Sequence, residues 1–302
     1  MIAKYPSSTT FNLTLLTNLA LLTVGALIFG PPSLALAQSS SSSSSSAAPS
    51  GPDPDAIKNS ILEDVNGDGL IQLEAFGDSI TRGVGDFVPA GEEDLENFPD
   101  ITGKEAGYPL RVETLLGISV KNSGVPGEIL NTEGLVRFIA TLPQTLPDTV
   151  FISGGANDAN DRASTTDFNA SLQTMINFAR AVGVNVVLVT TPRPGSDHEN
   201  LAPFVDAYVT QMRASSIIND LPLADANQAF SKSCNISRCY LLNLPEGLHP
   251  NIEGYDIMGE AVLASIFRID LNLADGAGKL ETALNLPAGT VKTKPLPVAA
   301  GS

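Results

Sequence analysis

Five short, largely apolar runs, at 70–76, 118–121, 149–152, 184–190 and 221–224, alternate with longer stretches of helical period, and this alternation restricts the chain more than any other feature. A run such as Val150-Phe151-Ile152 has no polar side to leave in water, so a sheet built from such strands must be covered on both faces. The covering segments fall at 107–116, 128–141, 165–182 and 201–219. A last helix is expected over 251–267, with Ile252, Tyr255, Met258, Ala261, Val262 and Ile266 on one stripe. Strands joined through helices pair in parallel, so the expected fold is α/β in three layers, α/β/α, around a doubly wound sheet of five parallel strands.

Open sheets of this kind bind ligands beyond the carboxyl ends of their strands. The loops that matter are therefore Gly77-Asp78-Ser79, Asn122-Ser123-Gly124, Gly154-Gly155-Ala156-Asn157-Asp158, residues 191–200, and residues 226–251.

Length and composition bound the rest. With 302 residues there is room for one domain of about 200 residues and tails. Acidic residues outnumber basic ones 33 to 17, and the net charge of −16 argues against nucleic acid or an anionic membrane surface as the main partner. Residues 1–37 read as a signal peptide: Lys4 begins it, an apolar stretch runs from Leu19 to Phe29, and Ala35-Leu36-Ala37 offers a small-residue cleavage site. Cleavage after Ala37 would deliver the chain to the periplasm or the extracellular space. An uncleaved anchor is the competing reading, although the apolar run is short for a span of about 20 residues.

Residues 38–54 are almost entirely Ser, Ala, Pro and Gly, with an unbroken serine run from Ser39 to Ser46, and read as a disordered linker. The folded domain is expected over 55–270. Residues 271–302 lack a sustained apolar period and contain Pro295 and Pro297, so they read as a loosely ordered tail. Cys234 and Cys239 are the only cysteines; in an oxidising compartment a local disulfide is expected, with two free thiols as the alternative. A monomer is favoured.

Ser79 follows the first strand directly. A serine there could simply cap a helix; as a nucleophile it needs a base, because a free hydroxyl is hardly ionised at neutral pH. The sequence holds two histidines. His198 lies in the polar loop after the fourth strand, whereas His249, in Glu246-Gly247-Leu248-His249-Pro250, has a carboxylate three residues upstream and a proline to hold the turn.

These residues together resemble the SGNH hydrolases, the GDSL esterase and lipase family. Gly77-Asp78-Ser79 matches the first block, Gly124 falls at the second-block glycine, Gly155-Ala156-Asn157-Asp158 matches the third block, and His249-Pro250 ends the fifth. The resemblance spans residues 70–267 and implies a flavodoxin-like fold and a secreted serine esterase that needs no cofactor. Its substrates would be small-molecule, lipid or glycan carboxylic esters, cleaved with Ser79 as nucleophile and His249 as base. The N–H groups of Ser79 and Gly124 and the amide of Asn157 are the implied oxyanion donors, with Gly127 competing for the second place. A polysaccharide deacetylase, or an inactive binding module on the same fold, are the alternatives. The family usually carries aspartate where this chain has Glu246, so the third member of the triad is either Glu246, a water, a backbone carbonyl, or absent.

Asp64, Asn66 and Asp68 stand at the first, third and fifth places of a calcium-loop opening, but the twelfth would be Ala75, which has no ligand atom. An Asp/Asn/Gly turn leading into the first strand is the other reading.

Overall fold

The computed structural model of the protein describes residues 51–87, 106–234 and 238–293. The signal peptide expected over 1–37 lies outside these residues, as does the linker up to residue 50. Five strands, β1 Leu73–Gly77, β2 Val120–Gly124, β3 Thr149–Ser153, β4 Asn185–Val189 and β5 Leu223–Ala224, form one sheet in the order β2-β1-β3-β4-β5. Every pairing is parallel.

The helices among the described residues are α1 Pro54–Lys58, α2 Ser79–Arg82, α3 Gly107–Leu116, α4 Leu135–Thr145, α5 Ala156–Asn160, α6 Thr165–Ala181, α7 Ala202–Asn219, α8 Ala226–Ser233, α9 Ile252–Ile266 and α10 Gly276–Ala283.

Strand periodicity explains the layers. Leu73, Ala75, Phe151, Val187 and Val189 point into one core with Tyr108, Val112, Phe230, Tyr255 and Met258, beneath α3, α8 and α9. Their neighbours Phe76, Val150, Ile152, Val186 and Leu188 point into a second core with Phe138, Phe168, Met175, Val205 and Met212, beneath α4, α6 and α7. Side chains alternate across a strand, so a continuous apolar run supplies both cores at once.

Element boundaries moved where burial did not follow hydropathy. β1 begins at Leu73 because Leu70 sits in the preceding turn and is 65% exposed. β2 extends through the polar Lys121-Asn122-Ser123 to Gly124, because it is an edge strand whose register with β1, not an apolar run, defines it. In the stretch expected as a helix over 128–141, Leu130–Gly134 forms a π-helical turn before α4 begins.

The loose tail expected over 271–302 is corrected as far as residue 293, and residues 294–302 lie outside the described residues. α10 places Leu280 and Leu284 in the first core, both essentially buried. Beyond it, the N–H groups of Lys292 and Thr293 donate to the buried Glu260 of α9, each at 2.7 Å. The Asp53 N–H reaches Ala283 O at 2.9 Å, so the two ends of the described domain meet on this side.

The Asp64 turn is closed by its own hydrogen bonds: Asp64 accepts the N–H groups of Gly67, Asp68 and Gly69, and Asp148 reaches across to those of Val65 and Asn66. Among the described residues, no group of three or more His, Cys, Asp or Glu side chains is arranged to hold a metal.

Candidate active site

The sheet order puts the reversal of winding between β1 and β3, the place where open α/β sheets bind their ligands. Ser79 and Asn157 follow these two strands. After Gly77 the chain turns at Asp78, whose Oδ1 accepts the Ile80 N–H at 2.9 Å and so caps α2. Ser79 is the first residue of that helix and is 7% exposed. Its N–H is one of those that a helix start leaves without a carbonyl partner.

His249 is delivered from the opposite side by the turn before α9. Asn251 caps α9, accepting the Gly254 N–H at 3.0 Å, and donates to Tyr240 O at 2.7 Å. Asn243 Nδ2 donates to the carbonyls of His249 at 3.1 Å and Pro250 at 3.0 Å. So held, His249 Nε2 stands 2.8 Å from Ser79 Oγ, and its Nδ1 stands 2.6 Å from Glu246 Oε1. The other oxygen of Glu246 accepts the N–H groups of Leu248 and His249, both at 2.9 Å.

The candidate oxyanion donors differ from one another. Gly124 packs against the nucleophile turn so closely that a Cβ would lie 2.3 Å from Arg82 N and 2.8 Å from Asp78 O, which accounts for glycine there. Its N–H, however, is bonded to Asn122 Oδ1 at 3.0 Å. Gly127, the competing glycine, has φ +82 and open space where a Cβ would stand. Asn157 donates through Nδ2 to Glu128 O at 3.0 Å, and an amide nitrogen carries a second proton.

Several residues that the motifs did not single out support this arrangement. Arg137 clasps the Glu128 carboxylate through Nε (2.6 Å) and Nη2 (2.5 Å), donates to Gly77 O at 3.3 Å, and lies 3.8 Å over the Phe76 ring. It thereby links the segment before Ser79 to the residue whose carbonyl holds Asn157. Asp158 accepts the N–H groups of Leu130 and Asn131, both at 3.0 Å, and so ties the segment after β3 to the turn that follows Glu128. His198 does not approach Ser79 as a partner; its Nδ1 contacts Glu246 O at 2.7 Å. The adjoining Gly-Asp-Ser and Gly-Ala-Asn-Asp motifs were the available signal for Asp78 and Asp158, whereas Arg137 and Glu128 sit in an ordinary amphipathic stretch.

Burial raises the carboxyl of Asp78 to about 6, against the Ile80 N–H and the charge of His249, which lower it. Glu246 goes the other way. Burial pushes it up, but the hydrogen bond and charge of His249, with the two backbone N–H groups, prevail and hold it below the usual glutamate value. A carboxylate beside the imidazole at neutral pH is the result.

Cys234 and Cys239 are joined in a disulfide, ahead of the turn that carries Glu246 and His249. Among the described residues no helix is long and apolar enough to cross a membrane.

The GDSL-like lipase/acylhydrolase family matches residues 75–257. No curated protein sequence matches the chain. Among solved structures, the lipase/acylhydrolase from Enterococcus faecalis is similar at a TM-score of 0.52 and 24% identity, over 66% of this chain and 96% of that one. A putative lipolytic protein of the G-D-S-L family from Desulfitobacterium hafniense is similar at 0.50 and 21%, over 65% and 98%. A catalytic mutant of the acetylxylan esterase Axe2 from Geobacillus stearothermophilus gives 0.53 and 21%, over 65% and 94%. At these identities the likeness is one of fold, and it agrees with the five-stranded parallel sheet found here. The family match takes in more than half of the chain, including Ser79, Asn157, Glu246 and His249, and the chain belongs to the GDSL-like lipase/acylhydrolase family.

Proposed function

We propose that the protein is an exported serine esterase that hydrolyses carboxylic esters through an acyl-Ser79 intermediate. The observation that supports this most directly is the continuous chain from Ser79 Oγ through His249 to Glu246, at 2.8 and 2.6 Å. In the proposed reaction, Ser79 Oγ attacks the ester carbonyl carbon while His249 Nε2 takes its proton. The tetrahedral intermediate collapses, the C–O bond to the alcohol breaks, and the alcohol leaves with the proton from Nε2. Water then repeats the sequence on the acyl-serine and releases the acid. Glu246 holds the Nδ1 proton throughout and stabilises the imidazolium that forms in each half.

The oxyanion donors in this reading are the Ser79 N–H and the second proton of Asn157 Nδ2, each worth about 3 to 4 kcal/mol to the transition state. Gly124 lets β2 pack closely against the nucleophile turn, and its N–H would join them only by leaving Asn122. Export rests on the N-terminal sequence and is compatible with the disulfide.

Because an acetylxylan esterase shares the fold, acetyl esters on glycans are the second substrate class considered. Acetyl, butyryl and long-chain esters and an acetylated glycan, offered to the wild-type protein and to Ser79→Ala, test the proposal. Hydrolysis of at least one ester is expected, lost by about 10⁴-fold or more in Ser79→Ala. Turnover in the variant above roughly a hundredth of wild type would make Ser79 the wrong nucleophile. No hydrolysis by the folded wild-type protein would favour the binding module.

A further inference from the structure

The Glu246 turn is braced from outside. Three consecutive carbonyls, of Pro245, Glu246 and Gly247, all accept from one short segment of the loop after β4. The Asp197 N–H reaches Pro245 O at 3.2 Å, His198 Nδ1 reaches Glu246 O at 2.7 Å, and the Gly195 N–H reaches Gly247 O at 2.8 Å. The two backbones meet at glycine on both sides. Gly247 has φ +75, and a Cβ on it would stand 2.2 Å from Gly195 O. Ser196, between the donors, holds φ +47, a conformation that costs a non-glycine residue energy unless its surroundings impose it.

His198 supplies the only side chain among these three donors. A carbonyl oxygen only accepts, so the 2.7 Å contact places a proton on His198 Nδ1. The accepting carbonyl belongs to the residue whose carboxylate orients His249. Displacing that backbone would move Oε1 relative to the imidazole and, with it, Nε2 relative to Ser79.

We propose that His198 is a positioning residue: by holding the Glu246 carbonyl it sets the Glu246–His249 geometry without touching the reacting atoms. The inference rests on the proposed roles of Ser79, Glu246 and His249, and it separates the two histidines of the chain into base and brace.

Kinetics on a soluble ester test it. His198→Ala should lower kcat about tenfold with KM unchanged, the scale expected for one hydrogen bond that orients a reacting group. His198→Asn, whose Nδ2 takes the place of Nδ1, should recover most of the loss, and His198→Gln, whose donor lies farther out, should not. In a Glu246→Ala background His198→Ala should have no further effect, because there is no carboxylate left to position. An equal loss with and without Glu246, a change in KM alone, or equal activity of the Asn and Gln variants would overturn the assignment. The Asn–Gln comparison stands even where His198→Ala fails to fold. Ser79→Ala, assayed alongside, reports separately on the underlying mechanism: activity retained there refutes Ser79 as nucleophile whatever the histidine variants do.

Discussion

At position 246 the chain carries one methylene more than the aspartate usual in the family, and the structure shows where the extra length goes. The side chain folds back so that Oε2 takes the N–H groups of Leu248 and His249 while Oε1 reaches the ring. These contacts depress its pKa, so the carboxylate contributes stability above the ordinary glutamate value of 4.5 and loses that contribution as pH falls through its lower folded value. Glu246→Gln should lower kcat by about 10- to 10⁴-fold with little change in substrate affinity, the upper end being the loss seen when an amide holds the wrong tautomer. Glu246→Asp should also be slower than wild type, because Asn243, Asn251 and the loop at 195–198 hold the backbone and the shorter arm cannot serve both the ring and the two N–H groups. Wild-type rates in both the Gln and Ala variants would leave Ser79 and His249 as a dyad. Ser79 and His249 stood out in the sequence because each sits in a short local motif, whereas Glu246 replaces the expected aspartate and was one of several candidates for the third place, so its contact with the ring came from the geometry. Arg137 and Glu128 were not, since their meaning lies in contacts such as Arg137 to Gly77 O, between residues far apart in the chain.

Among the elements, the strands buried on both faces and the long amphipathic helices were readable from hydropathy alone, because burial and pattern coincide there. β2 was only half readable: its polar outer half is fixed by pairing, which leaves no mark in a single strand's sequence. α10 was missed because it is short and offers few apolar residues, of which Leu280 and Leu284 are fully used. Ending the chain at residue 270 should therefore destabilise it. Two leucines leave the core, at about 1.5 to 3 kcal/mol each, and Glu260 loses the N–H donors of Lys292 and Thr293. Thermal melting should show a fall of at least about 5 °C; a melting temperature equal to that of the full chain would mean the segment adds nothing to the fold.

For the whole molecule, the sheet order sets what the residues can do. The reversal of winding falls between β1 and β3, the strands that Ser79 and Asn157 follow, and the turn before α9 brings His249 Nε2 to 2.8 Å from Ser79 Oγ. Activation of Ser79 by His249 is the step on which the proposed function depends, and a fluorophosphonate reads it without knowledge of the substrate. The serine oxygen displaces fluoride from phosphorus only when a base removes its proton, so the folded protein should acquire one adduct, mapped by mass spectrometry to the peptide bearing Ser79, and His249→Ala should acquire none. A folded wild-type protein that stays unlabelled, or an adduct on a different residue, would contradict it.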